Sequence, residues 1–226
     1  MANFVLVHGA WGGSHTWAQV PARLEAAGHQ VLVATLPGLG SRQAELHPGI
    51  TLNDHVSDVE RQIAEAGFDR FVLAGHSYGG MVITTLASRL GKRIDGICYV
   101  DAFLPAGGES LWDITGEYER NWYIDTQKHK PGYVDPIGSI DFKLVPGVVG
   151  YHPLLTLLEA AESSGDEAGI PKKSYIYATD YQPTPFTRFA EIAKAEGWDY
   201  HETATDHFVM QNDPDLTTRV LLGLAD

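Results

Sequence analysis

The chain has 226 residues, 44% of them hydrophobic and 20% charged. That is enough apolar content for a buried core without disulfides or a structural metal, and too much for disorder. Lys and Arg number 16 against 29 Asp and Glu, a net charge of −13, which leaves no electrostatic route to sequence-independent nucleic-acid binding or to an anionic membrane. The single cysteine, Cys98, excludes an internal disulfide and a Cys-rich zinc site. No apolar run reaches membrane-spanning length and no basic leader precedes the first one, so a soluble, cytoplasmic chain is expected.

In chain order, Asn3 to Val7 reads as a short buried strand that breaks into the Gly-rich loop from His8 to Gly13. Trp17, Val20, Leu24 and Ala27 follow at helical spacing, and Gly28 ends that helix; His15 and Trp17 are read as packing it on the sheet. Gln30 to Ala34 is a second strand, closed by Leu36-Pro37-Gly38-Leu39-Gly40. Thr51 is an N-cap for a helix to Ala66 with Val56, Val59 and Ile63 on one face. Strands are expected over Phe71 to Ala74 and Ile94 to Val100, with a helix between them from Gly80 to Leu90. After a break, Ser174 to Thr179 reads as a strand, a helix occupies about 187 to 196, Trp198 to His201 is a short strand, and a last helix runs from Asp213 to Leu224. Alternating helices and doubly apolar strands predict an α/β fold, a mostly parallel six-stranded sheet flanked by helices.

The alternation stops over 106–170. Scattered Gly and Pro, seven aromatic residues and no clean strand mark this stretch, and its eleven Asp or Glu against four Lys or Arg carry about half of the net charge. It reads as a helical lid inserted into a core of 1–105 and 171–226. Trp112, Tyr118, Trp122 and Tyr123 recur at roughly helical spacing and suggest an amphipathic helix over the site, with some of these rings lining an apolar pocket.

Gly75-His76-Ser77-Tyr78-Gly79 carries the sharpest chemical signal. It fits G-x-S-x-G between a strand and a helix, where a tight turn lifts a serine above the sheet and the glycines leave room for it. The helix beyond the serine points its free N–H groups at a developing oxyanion. Such a serine needs a histidine base held by a carboxylate, expected in the order Ser, acid, His. Of the downstream histidines, His152 reads as a lid surface residue and His201 as structural, while His207, between the last strand and last helix, is the expected base. Asp180 closes the strand after the lid and is the preferred acid over Asp101, at the end of the preceding strand; Asp206 reads as ordering its loop. The oxyanion donors expected are the backbone N–H groups of Tyr78 and Ala10.

Taken together, FVLVHGAW, LPGLG, GHSYGGM, VDAFLP, YATD and ATDHF resemble the α/β-hydrolase superfamily. Within it they resemble the branch of plant methylesterases, hydroxynitrile lyases and bacterial carboxylesterases such as pyrethroid hydrolases. The likeness spans 3–105 and 173–222 and leaves the lid aside. It implies that Ser77, Asp180 and His207 occupy the triad positions and that Ala10 and Tyr78 supply the oxyanion hole. The lyases of that branch carry Thr and Lys where this chain has Gly9 and Phe208, which disfavours cyanohydrin cleavage; Gly9 is read as leaving room for the ester and an attacking water.

The expected function is that of a serine carboxylesterase acting on a small to medium, largely apolar ester through an acyl-enzyme. Gly9, Trp11, Phe103, Trp112, Trp122 and Phe208 are candidates to touch the substrate. His8 and His76 are read as ordering their loops and Cys98 as core. No cofactor or metal is implied, the partner expected is a small-molecule ester, and the sequence leaves room for a homodimer. Alternatives on the same triad are thioesterase, amidase, lactonase or diketone hydrolase chemistry; from another class, a non-catalytic ligand-binding homologue.

Overall fold

The structure is a computed structural model that describes residues 1–136 and 150–226. Its centre is a parallel sheet of six strands: β1 (Asn3–Val7), β2 (Gln30–Ala34), β3 (Phe71–Ser77), β4 (Ile94–Ala102), and, after a short pair β5 (Tyr133–Val134) and β6 (His152–Pro153), β7 (Lys173–Ala178) and β8 (Asp199–Thr203). The spatial order is β2-β1-β3-β4-β7-β8. All five neighbouring pairs run parallel, and β3 is buried on both faces up to Ser77.

The helices are α1 (Val20–Ala26), α2 (Leu52–Glu65), α3 (Gly79–Leu90), α4 (Leu111–Ile114), α5 (Glu117–Gln127), α6 (Leu155–Leu158), α7 (Thr187–Ala195), α8 (Val209–Asn212) and α9 (Pro214–Ala225). The helices connecting the parallel strands pack in pairs, α1 against α9 and α2 against α3. Their apolar stripes meet the strands: Val20 and Leu24 on α1, Val56, Val59 and Ile63 on α2, and nearly every residue of α3 are buried. Thr51 caps α2 as its sequence predicts. Its hydroxyl accepts from the Asp54 N–H, and the Asp54 carboxylate accepts from the Thr51 N–H. The Trp17 ring is buried in the core, whereas His15 is exposed and does not pack there.

The chain leaves β1 toward one side to make β2 and returns past it to make β3. The connections therefore diverge at the carboxyl ends of β1 and β3, which is where a doubly wound sheet opens a crevice. The loop after β1 and the turn after β3 both empty into it.

The segment between β4 and β7 is not free of strand, as its composition suggests: β5 and β6 form a two-residue antiparallel ladder, Tyr133 opposite Pro153 and Val134 opposite His152. Its aromatic run is not one helix either. Trp112 lies on α4 and Tyr118, Trp122 and Tyr123 on α5, because the chain is extended at Thr115 and Gly116. Residues 137–149 of this insertion lie outside the described residues.

Candidate active site

Ser77 ends β3 and Tyr78 caps α3, so strand turns into helix within one residue. Gly75 and Gly79 are required by that turn: a Cβ on Gly75 would sit 2.7 Å from the Gly79 carbonyl oxygen. Ser77 is held at φ +54°, a left-handed backbone that a side-chain-bearing residue adopts only under constraint. Four non-glycine residues among those described have positive φ, and three of them, Trp11, Ser77 and Asp101, belong to this site.

A cavity of about 790 Å³ opens over the turn. Ser77, Tyr78, Ala10, Trp11, Phe103 and His207 line it together with Asp180. His207 is buried, its ring stacked nearly parallel on Phe186 at 5.0 Å and on Tyr181 at 4.8 Å. Burial lowers its imidazole below the ordinary histidine value, so it is neutral at pH 7. The His76 Nε2–H donates to the His207 carbonyl at 2.8 Å and ties the two loops together.

The carboxylate that meets His207 is Asp101 and not Asp180. The His207 Nδ1–H donates to Asp101 Oδ2 at 2.6 Å, and Asp101 Oδ1 accepts from the Ala178 N–H at 3.2 Å, with Asp101 fully buried. Asp180 is exposed at the cavity wall, where its carboxylate accepts from the Thr179 hydroxyl. The cause is a β-bulge. Along β3 and β4, His76 pairs with Val100 but Ser77 pairs with Ala102. Asp101 is the extra residue, at φ +40°, and the bulge turns its side chain out of the sheet's alternation toward the histidine. Asp206 behaves as the sequence suggests: it accepts from Phe208 N–H and Asn212 Nδ2 and orders the loop.

Four of the substrate-contact candidates lie elsewhere. Trp112 lines a separate hollow with Leu154 and Leu158, under the Arg120 guanidinium. The Trp122 indole N–H donates to the Asp135 carbonyl within the insertion. Phe208 packs on His76 beneath the cavity. Gly9 opens no space for substrate, since a Cβ there would lie 2.9 Å from the Ser77 Cβ and 3.1 Å from His76 Nδ1; its small size lets the β1 loop press against the serine turn. Trp11 and Phe103 do line the cavity, as do Tyr118 and Tyr123 of the insertion's aromatic run; the sequence reading misses the apolar residues that join them, Leu111, Ile114 and Leu157 from the insertion and Tyr181 and Phe186 from the loop after β7. The density of aromatic and proline residues just past β7 was the available signal for the last two.

His8 and His152, beside the site, are buried and neutral. His8 accepts from Leu36 N–H through Nε2 and donates through Nδ1 to the Gly9 carbonyl, so it orders its loop; burial brings it down to about 3. His152 is not a surface residue but fully buried, with burial holding it well below the ordinary value. His201 lies on β8 and bonds Asp199, and Cys98 is in the core, its thiol pushed up by burial.

The arrangement can deprotonate a serine hydroxyl beside an apolar cavity and hold the resulting imidazolium against a buried carboxylate. Comparison with known proteins agrees with the fold. Residues 4–220 match the family described as the alpha/beta hydrolase family. The chain is 31% identical to the carbendazim hydrolyzing esterase of Nocardioides sp. (strain SG-4G), over 100% of both chains. It is 35% identical to methylesterase 7 of Arabidopsis thaliana, over 99% of this chain and 96% of the relative. Among solved structures it resembles an extracellular alpha/beta-hydrolase from a Paenibacillus species (TM-score 0.84, 21% identity, 99% of each chain). It also resembles the pyrethroid hydrolase PytH (TM-score 0.78, 18% identity, 100% of this chain and 98% of the other). At these identities the two structures speak to the fold alone.

Proposed function

The chain belongs to the alpha/beta hydrolase family, and from that premise we propose that it is a serine esterase using Ser77, His207 and Asp101 on an apolar, ring-bearing ester. One observation carries the reading: a strained Ser77 and a buried, neutral His207 share one cavity, and the far nitrogen of that imidazole is committed to Asp101. The esterase and methylesterase relatives support ester hydrolysis over the other acyl chemistries. A non-catalytic binder would have no use for a complete triad.

In this mechanism the proton on His207 Nδ1 faces Asp101, so Nε2 is the base. It takes the Ser77 proton as Oγ attacks the ester carbonyl, and the N–H groups of Ala10 and Tyr78 receive the oxyanion. The neighbouring amide of Trp11 is already given to His152 Nδ1, which leaves Ala10 as the donor on that loop. The imidazolium, stabilised by Asp101, then protonates the departing alcohol. A water deprotonated by His207 cleaves the acyl-enzyme to acid and free Ser77.

The insertion serves as the lid of this site: Leu111, Ile114, Tyr123 and Leu157 complete its apolar wall. An apolar space of about 790 Å³ is of the size that encloses a drug-sized ligand. With p-nitrophenyl esters, kcat/KM is expected to rise roughly twofold to fourfold per methylene from acetate to hexanoate, as each CH₂ leaves water. It should then fall for palmitate, which overfills the cavity. Absence of hydrolysis across the whole series, aryl and methyl esters included, would overturn the reading.

A further inference from the structure

We infer that a dry polar network of His55, Tyr78, His152 and Thr156 positions the two oxyanion amides, so that the insertion buttresses the reaction from behind the site as well as walling it. The inference rests on the esterase reading above and concerns side chains that act through the two oxyanion amides, behind the site.

Tyr78 faces two ways. It lines the cavity, yet its ring is fully buried, and its Oη lies 2.9 Å from His55 Nδ1. His55 Nε2 lies 3.0 Å from the Pro37 carbonyl oxygen, which can only accept. Nε2 therefore carries the imidazole proton, Nδ1 accepts, and the Tyr78 hydroxyl is the donor. This arm fixes the residue whose amide begins α3.

The second arm fixes the β1 loop. The Trp11 N–H donates to His152 Nδ1 at 3.4 Å. The opposite nitrogen, Nε2, donates to Thr156 Oγ1 at 2.7 Å, and the Thr156 hydroxyl donates to the Pro153 carbonyl at 2.8 Å. Trp11, at φ +57°, directly follows Ala10, so its backbone needs such a tether to keep the Ala10 amide in place. The Trp11 indole adds another, donating to the Val134 carbonyl at 2.9 Å.

The arms meet. Tyr78 and His152 are edge to face at 4.8 Å, and His55 and His152 at 6.1 Å. His55, Tyr78, His152 and Thr156 all have no exposed surface. A network this dry has one low-energy arrangement, because any rotation strands a buried donor or acceptor. His152 and Thr156 belong to the insertion, whereas Ala10 and Tyr78 belong to the sheet core, so the geometry of the oxyanion site depends on the insertion being docked.

The test is steady-state kinetics of Tyr78→Phe and His152→Leu with a p-nitrophenyl ester, alongside inhibition by phenylboronic acid, whose tetrahedral adduct on serine mimics the oxyanion. Active sites are counted with a fluorophosphonate, so that kcat refers to folded protein. Both variants are expected to lose roughly tenfold in kcat with KM within about twofold, and to bind the boronate weaker by a similar factor. His152→Asn, which keeps an acceptor near the Nδ1 position, should regain most of the loss. A purely structural network would lower the melting temperature and leave kcat per site unchanged. Values of kcat within about twofold of wild type in both variants would overturn the inference while leaving the esterase reading intact. A wild-type protein that hydrolysed no ester would overturn both.

Discussion

Asp101→Asn is expected to lower kcat/KM for an ester by roughly 10³- to 10⁴-fold, while Asp180→Asn stays within about threefold of wild type. The asymmetry follows from the hydrogen bonds. Asp101 Oδ1 accepts from the Ala178 N–H and Oδ2 from the His207 Nδ1–H, and the side chain is inaccessible to water. An asparagine can satisfy Ala178 only with its oxygen, which turns its NH₂ toward His207. The imidazole must then accept at Nδ1 and carry its proton on Nε2, where it can no longer deprotonate Ser77. Asp180, exposed and bonded to its neighbour Thr179, has no such hold on the ring. A pH profile adds a second reading. Burial lowers His207, and the neutral form is the active one, so the acid limb of kcat/KM in the wild type should fall below the ordinary histidine value of 6.5. A larger loss in Asp180→Asn than in Asp101→Asn would reverse the assignment.

Acid should unfold the protein steeply. His8, His55, His76 and His152 are each fully or almost fully buried, and burial holds His8 at about 3, His55 at about 4 and the other two well below 6.5. In the unfolded chain each returns to about 6.5. The unfolded state therefore takes up more protons as pH falls. Stability is intact above 6.5 and is lost as pH falls from there toward 4. Each such histidine contributes on the order of 1 kcal/mol per pH unit within that window, and four together on the order of 5 kcal/mol per pH unit. His207 is left out of this sum, because burial raises its partner Asp101 and the two act in opposite senses. Against a typical domain stability of about 5–15 kcal/mol, that slope consumes the whole within about three pH units. Denaturant melts followed by tryptophan fluorescence should show the midpoint dropping sharply between pH 6.5 and 4.5. A midpoint unchanged across that range would contradict the neutral, buried state of these rings.

The sheet was legible because its first strands hold short apolar runs and helices such as α1 and α2 carry one apolar face each. β1 and β2 fall where the pattern puts them, and the α2 cap is written in Thr51 and Asp54. The serine turn was legible because few sequences combine its glycines with a strand before and a helix after. The choice between Asp101 and Asp180 was not. Both close apolar strands, and what separates them is one extra residue in the pairing of β4 with β3, a bulge that leaves no mark in the run Tyr99-Val100-Asp101-Ala102. The insertion was hardest to read, for a related reason. Its histidine at 152 precedes a proline within the insertion, which suggests a surface, yet it is drawn under the site by partners far along the chain, among them the Trp11 amide. Trp112 and Trp122 misled in the opposite direction: their rings dock the insertion on itself and on its own backbone, and Leu111, Ile114, Tyr123 and Leu157 wall the cavity instead.

The most direct measurement is intact-protein and peptide mass spectrometry of the chain treated with a fluorophosphonate, with ester hydrolysis followed in parallel. One adduct per chain, located on Ser77, with activity falling in proportion to labelling and no adduct on Ser77→Ala, is the result expected. Undiminished hydrolysis by fully labelled protein, or an adduct on another residue that alone abolishes activity, would contradict Ser77 as the nucleophile.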